Sequence, residues 1–220
     1  ARSMACRLSC RVMLRSSVNK CKIHLFRFLR TRAGLSRLRE GHFRAAIEHR
    51  PKEIVMTSRH RRLSRLFAAD GRCLVVALDH AGFMDKPMRG LEAPGPVLSA
   101  AVAAGTDAFL LTLGSAERYA AELGRAGLWL SVEADPRLAE PVVAEALRLG
   151  ADGVKCLVYP GWEARPSSLA DFSALALACR AWNLPVMAEV IPGGFLAGPE
   201  QRTPAAIAAG ARVAFEAGAD

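Results

Sequence analysis

From Arg72 onward the chain repeats one alternation, a short apolar run followed by a longer Ala-rich amphipathic run. The apolar runs are Cys73–Asp79, Ala108–Leu113, Leu128–Val132, Val154–Tyr159 and Val186–Ile191. Each has five to seven residues, the length of a strand rather than a helix. The spacing predicts helices over Val97–Ala104, Ala116–Ala126, Pro136–Leu149, Ser168–Trp182 and Pro204–Ala217. Pro136 and Pro204 suit first-turn positions, and Gly105, Gly127, Gly150 and Gly218 suit helix stops. A unit of about 30 residues is the size of a right-handed βα repeat, so an α/β fold with a parallel sheet is expected. No G-x-G-x-x-G turn follows any apolar run, and polar residues sit inside or at the ends of several. That pattern favours a (β/α)8 TIM barrel, whose chemistry gathers at the C-terminal ends of its strands.

An internal echo sharpens this expectation. Gly105-Thr106-Asp107 opens the second apolar run and Gly150-Ala151-Asp152 the fourth; Gly218-Ala219-Asp220 is the same phrase at the last residue. The barrel is therefore expected to be truncated after about five βα units, with an open sheet edge, since a complete barrel takes about 250 residues.

The charge is divided unequally. The formal net charge of +9 is the sum of a segment up to Asp70 with 18 Lys and Arg against 4 Asp and Glu, and a remainder with 12 against 17. Residues 1–55 are read as a basic extension, disordered or weakly helical and not required to belong to the fold, and 56–220 as the barrel part. Three readings of the extension stay open: a targeting segment, a nucleic-acid arm, or upstream sequence translated ahead of Met56. The third is favoured, and the few aromatics there (Phe26, Phe28, Phe43) argue against a stacking platform for nucleic acid. No run reaches the roughly 18 consecutive apolar residues of a membrane-spanning helix. The six cysteines form no C-x-x-C pair and no zinc-spaced Cys/His cluster, so a reducing, cytoplasmic compartment is expected.

Alternate residues of a strand point to opposite faces. In the fourth run Val154, Cys156 and Val158 suit the helix layer, which turns Lys155, Leu157 and Tyr159 inward. In the fifth, Val186, Ala188 and Val190 go outward and Met187, Glu189 and Ile191 inward. In the first, Val75, Ala77 and Asp79 go inward. Asp79, Lys155 and Glu189 are thus expected to converge on one cavity as the catalytic candidates. Burying such charges unpaired costs several kcal/mol, so they must be paired, hydrated or functional. A purely structural Lys155–Glu189 ion pair is the alternative. His80, Tyr159 and Arg89 are the candidates for substrate contact, the last on an Ala81–Glu92 loop that could serve as a lid. Asp135, before Pro136, is read as a helix N-cap.

Leu78-Asp79-His80 with Gly90-Leu91-Glu92, the run from Gly150 to Tyr159 and the run from Leu184 to Glu189 resemble the class I, Schiff-base aldolases of the deoxyribose-phosphate and fructose/tagatose-bisphosphate aldolase superfamily. The resemblance covers roughly Leu63 to Asp220. It implies reversible carbon–carbon bond cleavage of a phosphorylated sugar through a protonated imine, with no metal or organic cofactor because the imine is the electron sink. It further implies that Asp79 assists proton transfer, that Lys155 supports the site electrostatically, and that Glu189 is a general acid/base of the tagatose-bisphosphate-like branch. The family's imine-forming lysine lies on the strand that follows a phrase like Gly218-Ala219-Asp220. The 220 residues are therefore expected to be inactive alone, unless Lys155 is itself the amine. Two other readings remain: a noncatalytic half-barrel that binds a sugar phosphate or a partner, and a TIM-barrel isomerase with Glu189 as base. Expected partners are a small phosphorylated sugar and, at full length, other copies of the chain; a membrane or nucleic acid is not expected.

Overall fold

The structure, a computed structural model, describes residues 24–29, 58–83 and 88–220. Five parallel strands follow one another in chain order: β2 (Arg72–Ala77), β3 (Ala108–Thr112), β4 (Gly127–Val132), β5 (Gly153–Val158) and β6 (Val186–Val190). Helices α2 (Pro94–Ala103), α3 (Leu113–Arg118), α4 (Ala139–Arg148) and α5 (Ser168–Ala181) connect them, and α6 (Pro204–Glu216) follows β6. Unbroken sequential order with no crossover is the connectivity of a barrel wall, and the strands form a half-barrel matching five consecutive (β/α) units.

Two apolar clusters divide by strand parity, as expected. Val76, Phe109, Leu130, Val154, Cys156 and Val186 face the helices and pack with buried residues such as Val143 of α4 and Phe172 and Leu175 of α5. Each such side chain contributes roughly 1.5–3 kcal/mol of burial. Val75, Ala77, Leu110 and Trp129 form the inner cluster, with Leu66 among them. A Cβ on Gly153 would lie 2.3 Å from the Trp129 ring, so only glycine leaves room for that inward indole.

Helix boundaries differ from expectation where local chemistry overrides periodicity. Pro204 does open α6, and the Thr203 hydroxyl accepts from the Ala206 N–H at 3.2 Å. Pro136 does not open α4, which begins at Ala139. Asp135 is accordingly not its N-cap: its carboxylate accepts from the Arg137 N–H at 2.9 Å and its guanidinium at 2.6 Å, holding a turn ahead of the helix. Hydrogen bonding to Arg137 holds the Asp135 carboxyl down to about 2.

The repeated Gly-x-Asp phrase is a clasp. Asp107 accepts from the Leu74 N–H at 2.7 Å, Asp152 from Leu128 N–H at 3.1 Å, and Asp220 from Val186 N–H at 2.9 Å. Each of these N–H groups lies at or just inside the start of the preceding strand. The carboxylates therefore set the register between neighbouring strands at the N-terminal end of the sheet. Helix α1 (Ser58–Leu66) spans this end. Its Leu66 is buried against Gly127, Arg65 Nε donates to Asp152 at 2.5 Å, Arg62 donates to the Ala151 carbonyl at 2.9 Å, and Arg59 pairs with Asp220. Of these three arginines, spaced three apart, Arg65 and Arg59 place opposite charge on the clasp carboxylates of Asp152 and Asp220, and Arg62 holds the backbone beside Asp152.

The expectation of a disordered or weakly helical extension is corrected at one place. His24–Leu29 is a strand, β1, paired antiparallel with β2 from His24 opposite Ala77 to Leu29 opposite Arg72. A lone β2 edge would leave a row of ladder groups unpaired, and six extended residues satisfy them. The other expectations for residues 1–55 lie outside the described residues. No helix among the described residues is long and apolar enough to cross a membrane.

Candidate active site

Lys155 lies mid-strand on β5, facing inward, and its environment comes from strands on both sides. Its Nζ is 2.8 Å from Asp79 Oδ2 and 2.7 Å from Glu189 Oε2. Asp79 sits two residues past β2, at the head of a short 3-10 turn over His80–Gly82, rather than inside the strand as expected. Register explains the contacts. Lys155 is opposite Met187, so Glu189 is one inward step further along β6. The side chain of Lys155 is long enough to reach that level and that of Asp79 beyond the end of β2.

Lys155 is 1% exposed and Asp79 2%, whereas the Glu189 side chain is 35% exposed. The group is therefore a buried ion pair with a third, solvent-facing carboxylate. Burial pulls the ammonium's pKa down, but the charges of Glu189 and Asp79 and their hydrogen bonds outweigh it. The net displacement is upward from 10.5. Lys155 is held as an ammonium ion, which opposes its use as the nucleophilic amine.

An aromatic cluster lies above the triad. The Phe83 ring centroid is 5.2 Å from Lys155 Nζ. Phe83 stacks on Phe195 at 5.9 Å, with the planes 11° apart. The edge of Tyr159 meets Phe195 at 5.8 Å and Trp162 at 4.9 Å. Burial, with Glu133 nearby, pushes the Tyr159 phenol up to about 12, so it remains a neutral donor. Arg165 lies over the outer side of Tyr159 and pairs with Glu133 at 3.3 Å.

Residues 73–220 match the DeoC/LacD family aldolase. The chain belongs to that family. Among curated relatives of the DeoC/LacD chain is a 2-amino-4,5-dihydroxy-6-oxo-7-(phosphonooxy)heptanoate synthase of Streptomyces griseus, 33% identical over 173 residues, covering 74% of this chain and 62% of the relative. Another is the class 1 fructose-bisphosphate aldolase of Thermoproteus tenax, 31% identical over 171 residues, covering 71% and 63%. The DeoC/LacD chain thus spans less than two thirds of the length of either. Among solved structures, a Schiff-base-forming fructose-1,6-bisphosphate aldolase aligns with a TM-score of 0.56 at 28% identity, covering 73% of this chain and 68% of that one. An archaeal fructose-1,6-bisphosphate aldolase with its catalytic lysine bound to a carbinolamine aligns with the same score at 27% identity over the same shares.

Of the sequence candidates in this DeoC/LacD family chain, the structure brings Asp79 and Glu189 into direct contact with Lys155. It sets buried His80 beside Phe83, at 5.9 Å between ring centroids, and Tyr159 in the aromatic cluster. Arg89 is exposed, and none of the described contacts joins it to the triad. Sequence reasoning missed Phe83, Trp162, Phe195 and Arg165, which sit on loops with no periodicity to expose them. The one signal was position, since each follows the C-terminal end of an inward-facing strand. Among the described residues no group of three or more His, Cys, Asp and Glu could hold a metal ion. A separate cavity of about 400 Å³, lined by Glu117, Leu123, Leu128, Arg148 and Asp152, borders the opposite end of the strands, away from the triad.

Proposed function

We propose that this chain carries the acid/base and electrostatic part of a class I aldolase centre, acting on a phosphorylated sugar by reversible carbon–carbon cleavage through a Schiff base. The observation that carries the reading is the buried contact of Lys155, inward on β5, with Asp79 just past β2 and Glu189 near the end of β6, in a chain of the DeoC/LacD family. Both curated relatives bear names with a phosphorylated carbon chain, which supports the substrate class.

In this reading Glu189, the exposed member, takes the proton from the hydroxyl whose oxygen becomes the new carbonyl as the carbon–carbon bond breaks, and returns it in the reverse direction. The Lys155 ammonium keeps Glu189 oriented and stabilises negative charge developing on ligand oxygens. Asp79 fixes Lys155. In this reading the imine-forming amine is a lysine other than Lys155, because two carboxylates hold Lys155 as an ammonium ion. A cytoplasmic, homo-oligomeric setting belongs to the same proposal. The noncatalytic sugar-phosphate-binding reading draws support from the same saturation of Lys155 by two carboxylates.

Borohydride reduction in the presence of a ketose phosphate should leave the 220-residue chain without a covalent adduct by mass spectrometry. An adduct that disappears in Lys155→Ala would overturn the assignment of roles, since it would make Lys155 the amine.

A further inference from the structure

Within the triad Glu189 reaches solvent, whereas the Lys155 ammonium is closed to ligands as it stands. An ammonium has three N–H donors, and two of those on Lys155 are directed to Asp79 and Glu189. The face of Phe83 lies over the remainder of the charge, where a ligand oxygen would otherwise sit. Phe195 backs that ring and completes the cover.

The loop that presents Phe195 has a hydrogen-bonded base and an exposed tip. Gly193 donates its N–H to the Pro160 carbonyl at 2.8 Å. Arg202 donates to the carbonyls of Pro192 at 2.6 Å and Gly194 at 2.5 Å. A Cβ on Gly194 would lie 2.5 Å from the Trp162 ring, so the indole is seated on its backbone, and both glycines have positive φ, 70° and 81°. Immediately beyond this base the side chains turn outward on a tight turn closed by the Ala197 N–H donating to the Gly194 carbonyl at 3.4 Å: Phe195 is 48% exposed and Leu196 94% exposed. Among the described residues the Phe195 side chain meets the rings of Phe83 and Tyr159.

We propose that Phe195 is the entry gate of this site, a side chain that turns on the anchored Gly193–Gly194 base to release Phe83, which holds the place of an oxygen-bearing ligand over Lys155. The gate rests on the aldolase-type reading of the triad and adds how that site admits its ligand. A stacked and an edge-on ring contact favour the closed form only modestly, so opening needs no rearrangement of β5 or β6.

The test is acetic anhydride labelling of the 220-residue protein at one alkaline pH for every variant, so that each reacts from the same small fraction of neutral amine, with modification of Lys155 followed by peptide mass spectrometry. Removing the cover in Phe195→Ala and in Phe83→Ala/Phe195→Ala should speed Lys155 labelling by about tenfold or more, and Leu196→Ala should leave it unchanged. Phe195→Leu, which keeps apolar volume and loses the stacked ring, should give an intermediate rate and serves if the alanine variants unfold. Unchanged labelling in Phe195→Leu and whichever alanine variants fold overturns the gate. So does acceleration matched by equal alkylation of the buried Cys179 thiol, which marks general loosening. Fructose 1,6-bisphosphate added to Phe195→Ala tests the other reading separately: failure to slow Lys155 labelling counts against the sugar-phosphate site and leaves the gate result standing.

Discussion

Lys155 concentrates the energetic stakes at the residue scale. Removing its charge in Lys155→Met leaves Asp79 buried without a counter-ion, and should cost about 3–5 kcal/mol of unfolding free energy in urea titrations. Glu189→Gln should cost only about 1 kcal/mol, because the Glu189 carboxylate reaches solvent. Equal losses in the two variants would show that Asp79 is not the buried partner that matters. Lys155's pKa is raised in the folded chain, so its contribution is fully present below its ordinary 10.5 and is lost as pH climbs through the raised value. The stability gap between wild type and Lys155→Met should therefore stay flat through neutral pH and narrow only in strong alkali. A gap that closes between pH 6 and 8 would contradict the ammonium assignment. Parity along β5 and β6 made the inward placement of Lys155 and Glu189 legible in sequence. That Asp79 lies outside its strand and still meets Lys155 was not, because a turn just past a strand end has no period to read.

At the scale of elements, the repeated Gly-x-Asp phrase changes meaning. In sequence it marks where a helix stops and a strand starts. In the structure its carboxylates fasten the starts of neighbouring strands, and α1 supplies the opposite charge. Asp152 serves both the Leu128 N–H and Arg65, whereas Asp107 serves the Leu74 N–H with no arginine recorded on it. Asn can still accept a backbone hydrogen bond but cannot answer a guanidinium. Asp152→Asn should thus destabilise by about 1–2 kcal/mol more than Asp107→Asn in chemical denaturation. Equal effects would mean that α1 contributes packing through Leu66 and no electrostatic latch. The basic character of α1 is accordingly part of the fold's wiring, a point hidden in sequence because Arg59, Arg62 and Arg65 find partners up to 161 positions away.

For the whole molecule, the open question posed by a half-barrel is what covers its edges. On the β2 side the answer is β1, drawn from the extension that composition alone did not require to belong to the fold. Removing residues 1–30 should expose the β2 ladder, raise amide exchange across 73–77 and promote self-association in light scattering. Unchanged exchange would show β1 to be dispensable. The sequence by itself determined the βα succession, the parity that separates helix-facing from inward-facing residues, the meeting of Lys155 with Glu189 and the family, because each is written in local periods and short phrases. Tertiary structure alone decided that Lys155 is an ammonium clasped by two carboxylates, that Arg65 and Arg59 of α1 lock the clasps of Asp152 and Asp220, and that Phe83 and Phe195 roof the site. Those outcomes depend on distances between segments far apart in the chain, where burial and Coulomb energy are set by which groups the fold brings within a few ångströms.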